Sequence, residues 1–213
     1  MGNLMARSKR EVPHYYLRSA IELSEPLARL RAANAARPVA ERVLPAALLL
    51  HAVARAAHEV PEVNGFWIDG EHRRSEAVHL GVAISQRGGG LIAPAIHDAD
   101  RKDLEELMRD LRDLVARARR GGLRSSEMAD PTITVTNLGD QGVDEVLGVI
   151  YPPQVALVGF GRIQDRPWAV DGMLGVRPVV TATLSADHRA STGAEGARFL
   201  TALERHLRNT EEP

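Results

Sequence analysis

The chain has 213 residues, 44% of them hydrophobic and 26% charged, with a formal net charge of −1. That is enough apolar chain for a full core and fits one domain spanning 1–213, while the balanced charge excludes long-range attraction to nucleic acid. There is no cysteine, which excludes disulfides and thiolate metal sites, so any thiol chemistry must use a thiol that a substrate brings. No apolar stretch approaches the roughly 20 residues of a membrane span. The start Met1-Gly2-Asn3-Leu4-Met5 lacks the charged-then-apolar layout of a signal peptide, and Ala6 breaks the myristoylation pattern that Gly2 begins. A cytoplasmic location without membrane contact is therefore expected.

In chain order, Tyr15 to Ile21 reads as a strand. Ser24-Glu25-Pro26 then opens a helix to about Asn34, with Ser24 as N-cap and Pro26 in the first turn. From Leu44 to Val60 apolar residues occupy nearly every face, the mark of a buried helix. Phe66 to Ile68, Val78 to Ile84 and Leu91 to Ile96 are short strands, separated by Asp69-Gly70 and by Arg87-Gly88-Gly89-Gly90. Asp98 caps a long helix in which Leu104, Leu107, Leu111, Leu114 and Val115 recur at helical spacing before Gly121-Gly122 stops it. The basic run Arg117 to Arg124 falls on the solvated end of that helix. Thr132 to Asn137, Val155 to Phe160 and Val176 to Leu184 are strands, and a helix from Gly193 to about Leu207 follows. Strands and helices that do not strictly alternate predict an α+β fold in layers with a mixed sheet.

Several segments carry a resemblance by their order: Ser8-Lys9, Val12-Pro13-His14-Tyr15-Tyr16, Pro61-Glu62-Val63-Asn64-Gly65, Gly90-Leu91-Ile92-Ala93-Pro94, His97-Asp98-Ala99-Asp100-Arg101-Lys102, Thr132 to Gly139, Pro152-Pro153-Gln154 and Asp187-His188-Arg189. Together they resemble the catalytic domain of the dihydrolipoamide acyltransferase component of 2-oxo acid dehydrogenase complexes, a family that shares its fold with chloramphenicol acetyltransferase. The resemblance runs nearly end to end and implies that two-layer fold, with a mixed sheet and packed helices. It implies CoA or acyl-CoA as substrate, a lipoyl group carried by a partner protein, other 2-oxo acid dehydrogenase components as partners, and a homotrimer with active sites between subunits. It covers the catalytic domain alone, so no lipoyl or peripheral subunit-binding domain is expected. Larger family cores use an apolar C-terminal tail, and the ending Leu207-Arg208-Asn209-Thr210-Glu211-Glu212-Pro213 has none. An isolated trimer is the expectation.

A histidine titrates near neutrality, so it can take a proton from a thiol and return it to a leaving group. His188 lies between a strand and a helix, where a surface role is the ordinary alternative, and the resemblance places it on the family's general base. The same resemblance makes Thr136 the donor to the oxyanion, with Asn137 and Gly139 beside it as substrate-binding positions. Outside that context Thr136 reads as a β-branched strand residue. Thr192 stands where the family pattern has an aspartate that orients the site through an ionic contact. Thr192-Gly193-Ala194-Glu195 also reads as a capping box, so the expectation is a base kept in place but less well held, with lowered activity. Tyr151 stands where the family usually has asparagine; it either reshapes the acyl or acceptor pocket or is a partly exposed loop aromatic.

No metal is expected, because His72, His79 and His97 show no ligand spacing with nearby carboxylates. The run Arg87 to Gly90 leads into a strand rather than a helix, which speaks against a phosphate-cradling loop. Trp67 and Trp168 read as packing residues or loop anchors. Two function classes stay open: an acyltransferase, acting on a dihydrolipoyl group supplied in trans or on another small acceptor, and an impaired trimeric structural subunit. His188 with Thr136 favours the first; Thr192 and the missing lipoyl domain favour the second.

Overall fold

A computed structural model describes residues 2–86 and 89–209 of the chain. Arg87 and Gly88 of the glycine-rich stretch and the tail Thr210 to Pro213, on which sequence readings were placed, lie outside the described residues. The elements in order are α1 (Gly2–Glu11), β1 (His14–Glu22), α2 (Ser24–Ala35), α3 (Pro45–Glu59), β2 (Gly65–Ile68), β3 (Glu71–Arg74), β4 (Leu80–Val82), β5 (Ile84–Ser85), β6 (Leu91–Ile92) and β7 (Ala95–Ile96). They continue with α4 (Leu104–Arg120), α5 (Ser125–Ala129), β8 (Ile133–Asn137), β9 (Ala156–Phe160), β10 (Gln164–Val170), β11 (Met173–Asp187) and α6 (Gly193–Arg208). The main sheet runs β1-β11-β9-β8-β4-β7, and β10 pairs with the outer part of β11. Because β8 lies parallel to β4 and β9 while the other pairs are antiparallel, the sheet is mixed. The fold is α+β, as expected.

One face of the sheet carries the core. Ile133 and Val135 of β8, Val158 and Phe160 of β9, and Val180 and Leu184 of β11 meet Leu48, Leu49 and Val53 of α3, Leu107 and Leu114 of α4, and Phe199 and Leu203 of α6. Each such side chain contributes about 1.5–3 kcal/mol by leaving water. Alternation puts polar residues on the other face, where Thr134, Thr181, Thr183 and Ser185 are nevertheless buried. The connection between β8 and β9 reaches two of them: the Thr134 hydroxyl donates to Gln154 Oε1 and the Thr183 hydroxyl donates to the Val146 carbonyl. Gly159 permits this close approach, since a side chain there would meet that same carbonyl.

Several sequence expectations need correction. Ser24 is the first helical residue rather than the cap, and its amide N–H donates to the Glu22 carboxylate at 2.6 Å. The long helix is capped by Asp103, not Asp98: Asp103 accepts from the Glu106 amide at 2.7 Å and Glu106 reaches back to the Asp103 amide. Asp98 instead turns the chain at a φ of 50°. The expected strands Val78 to Ile84 and Leu91 to Ile96 are each broken in two, so β4 and β7 pair in the main sheet while β5 and β6 form a separate ribbon. Sequence reading also missed α1, β3, β10 and α5. Among the described residues no helix is long and apolar enough to cross a membrane.

Candidate active site

Strand β11 ends in the signature Asp187-His188-Arg189. Asp187 is fully buried, and a buried carboxylate must be paired and hydrogen-bonded. Arg189 does both: Nε lies 2.9 and 3.1 Å from the two carboxylate oxygens, Nη2 donates at 2.6 Å, and the Arg189 amide donates at 3.0 Å. The Ala190 and Ser191 amides both donate to the Asp187 carbonyl. The residues flanking His188 thus lock a tight turn, and His188 itself is exposed on it. Its amide donates to the Pro13 carbonyl at 3.0 Å, and its ring meets the Tyr15 ring edge-on at 5.1 Å. Tyr15 is held in turn by the Ser191 hydroxyl at 2.9 Å. Behind the turn, His14 is fixed as a neutral ring: Nδ1–H donates to the Val12 carbonyl and Nε2 accepts from the Ile150 amide. Burial pushes its pKa down, in keeping with that tautomer.

Thr136 is half-buried, and its hydroxyl has no hydrogen-bond partner among the described residues. The loop that follows is tied back by the Gly139 amide, which donates to Asn137 Oδ1 at 2.8 Å, and by the Leu138 amide on the Phe160 carbonyl. The register then measures the distance to His188. Thr136 pairs with Gly159, Gly159 pairs with Thr183, and His188 lies past the end of β11. Two strand spacings and that length of strand separate the two residues by about 20 Å. One chain therefore does not bring Thr136 and His188 to a common substrate atom.

Thr192 is exposed and serves as N-cap of α6, accepting from the Ala194 amide at 3.2 Å while its hydroxyl and amide contact Glu195. The sequence-predicted capping box is present. Tyr151 is half-buried, and burial pushes its phenol pKa up. It lines an apolar groove of about 330 Å³ with Phe66, Leu91, Ile92, Met128 and Pro153. The Trp67 amide donates to the Pro153 carbonyl at 2.8 Å and Thr134 to Gln154 Oε1 at 2.7 Å, fixing that wall. His97 contacts Asp130 at 2.9 Å, and His79 accepts from the Asp98 amide at 3.1 Å. No metal-binding group of three or more histidine, aspartate or glutamate side chains occurs among the described residues.

The whole chain, residues 1–213, matches the family described as 2-oxoacid dehydrogenases acyltransferase (catalytic domain). The chain belongs to this family. It is 31% identical over 210 residues to the dihydrolipoyllysine-residue acetyltransferase component of the pyruvate dehydrogenase complex of Rhizobium meliloti, covering 96% of this chain and 47% of that protein. The acyltransferase domain thus spans about half the length of the curated relatives it matches. A probable dihydrolipoamide acetyltransferase from Listeria monocytogenes superposes with a TM-score of 0.91 at 28% identity, covering 100% and 93% of the two chains. A structure of Azotobacter vinelandii dihydrolipoamide acetyltransferase, solved to study the role of a serine, a histidine and an asparagine in its catalytic mechanism, has a TM-score of 0.87 at 27% identity, covering 98% of this chain and 86% of that one. Those three residues stand at the same sequence separations as Thr136, His188 and Thr192 do here. Chloramphenicol acetyltransferase, at 16% identity and a TM-score of 0.59 over 96% of this chain and 94% of that one, shares the fold of this acyltransferase family.

Proposed function

We propose that the chain is a CoA-dependent acyltransferase that moves an acyl group between CoA and a dihydrolipoyl group, or similar thiol, presented by another protein. His188 is the general base and Thr136 the oxyanion donor. The observation that carries this reading is the turn built around His188: a fully buried Asp187 paired with a partly exposed Arg189, whose intervening histidine is left exposed with its backbone tied down. The base takes the thiol proton, the thiolate attacks the thioester carbon, and the Thr136 hydroxyl donates to the oxygen of the tetrahedral intermediate. Collapse expels the second thiolate, which recovers the proton from His188. General-base help contributes about 10² to 10⁴ in rate and an oxyanion donor about 10² to 10³.

The separation of Thr136 from His188 supports a site shared between copies, in a homotrimer. A second observation agrees. The arm formed by β10 and the start of β11 leaves Met173, Leu174 and Val176 at 74%, 79% and 66% exposure, more apolar surface than a lone hairpin retains without a partner. Asn137 and Gly139 frame the oxyanion side, and Tyr151 sets the size of the groove that receives the acyl or acceptor chain. Replacing Tyr151 with alanine enlarges that groove, so kcat/KM for acyl-CoA substrates longer than acetyl should rise about tenfold, within the range of one added apolar contact. Acetyl transfer should change far less; an unaltered preference across an acyl-CoA series would remove Tyr151 from the pocket.

Thr192 lowers the rate because its hydroxyl is committed to the α6 cap. A neutral side chain here is not foreign to the family, given the asparagine at the same separation in the Azotobacter protein, so the effect is modest. Acetyl transfer from acetyl-CoA to dihydrolipoamide tests the whole reading. The native chain should transfer, and Thr192→Asp should gain up to about tenfold in kcat, equal to about 1.4 kcal/mol. No transfer by either, from intact oligomers, would overturn the enzyme in favour of a structural subunit.

A further inference from the structure

We propose that Trp67 is a positioning residue for His188, acting through Arg189; this rests on the reading of His188 as the general base. The Arg189 guanidinium carbon lies 4.7 Å from the Trp67 ring centroid, over its face, where the negative quadrupole of the indole attracts a cation. The same guanidinium makes the bidentate contact with Asp187. Asp187 has no exposure, whereas the Arg189 side chain keeps 32%. Arg189 is therefore the partner able to leave, and Trp67 covers the side that water would otherwise take. The strand that carries the indole is held on both sides: the Trp67 backbone amide donates to the Pro153 carbonyl, and Trp67 pairs with His72 across the β2–β3 hairpin. That hairpin turns at Asp69 and Gly70, both in the left-handed region, the geometry of a tight two-residue turn that sets the register placing Trp67 on β2. A chain of contacts thus runs from Trp67 through Arg189 and Asp187 to the turn bearing His188. Trp67 acts through this chain of contacts, and its effect is on how long the turn holds its shape.

Two measurements on the oligomeric protein test this. In the acetyl transfer assay, Trp67→Leu should lower kcat roughly tenfold with KM for acetyl-CoA within about twofold, and Trp67→Phe, which keeps an aromatic face, should recover most of the loss. Combined with Arg189→Lys, which keeps the charge but not the planar fork, Trp67→Leu should add little further loss, because both act on one contact. Independently of activity, hydrogen exchange at the His188, Ala190 and Ser191 amides should quicken in Trp67→Leu and stay native in Trp67→Phe. Additive losses in the double variant, or unchanged exchange at those amides, would overturn the proposal. A native chain without transfer activity but with the expected exchange pattern would count against the functional reading and leave the positioning role standing.

Discussion

His188→Ala is expected to lower acyl transfer by roughly 10²- to 10⁴-fold, and mixing it with Thr136→Val chains is expected to restore part of the activity. The first result follows from removing the proton acceptor from an otherwise intact turn, since the Asp187–Arg189 contacts do not involve the imidazole. Thr136→Val alone removes the hydroxyl with nearly the same volume and should cost about 10² to 10³. The restoration is the more telling outcome. Thr136 and His188 lie at opposite ends of the same sheet region, separated by two strand spacings and the final length of β11. If one copy supplies the base and the next supplies the donor, oligomers assembled from both variants contain some sites with both groups intact. Co-expressed and co-purified chains, assayed for acetyl transfer against each variant alone, provide the measurement. A mixture no more active than its components would place both groups of a working site within one chain and sink the shared-site reading.

What the sequence disclosed follows from how locally each feature is encoded. Helix α3 is apolar on nearly every face and α4 carries leucines at helical spacing, so both were legible without a partner. The β10 arm was not: its side chains alternate between half-buried and exposed, but Gln164 and Arg166 on the half-buried face and Pro167 and Ala169 on the exposed one give no apolar–polar alternation to read. Helix α1 was missed for a similar reason: it buries only Ser8, whose hydroxyl donates to Ile150 at 2.7 Å. The cap at Asp103 has a signal, the Asp103-Leu104-Glu105-Glu106 capping box, but Asp98 is an equally good N-cap residue type five positions earlier. The α6 cap at Thr192 was readable from a contiguous motif. The Trp67–Arg189 contact was not, since it joins residues far apart in sequence through tertiary packing alone. The distance between Thr136 and His188 became readable only once strand register was known.

Arg189→Ala should destabilise the fold by about 3 kcal/mol, near the low end for breaking a buried ion pair, whereas Asp187→Asn should cost only about 1–2 kcal/mol. The asymmetry comes from exposure. Removing the guanidinium leaves a carboxylate with no solvent access and, among the described residues, the backbone amide at position 189 as the one donor left to its side chain. Neutralising Asp187 leaves a cation that already keeps part of its surface in water and still rests on the Trp67 face, and the asparagine oxygen can go on accepting from the Arg189 amide. Chemical denaturation read as a shift in midpoint at constant m would separate the two. The order of the losses matters more than their size. If Asp187→Asn proved the costlier, the buried carboxylate would be contributing through contacts other than Arg189, and the guanidinium would no longer be the clasp that holds the turn. If the predicted order holds, the D-H-R signature has a physical division of labour: the outer two residues form the clasp, and the histidine between them is free to carry the proton.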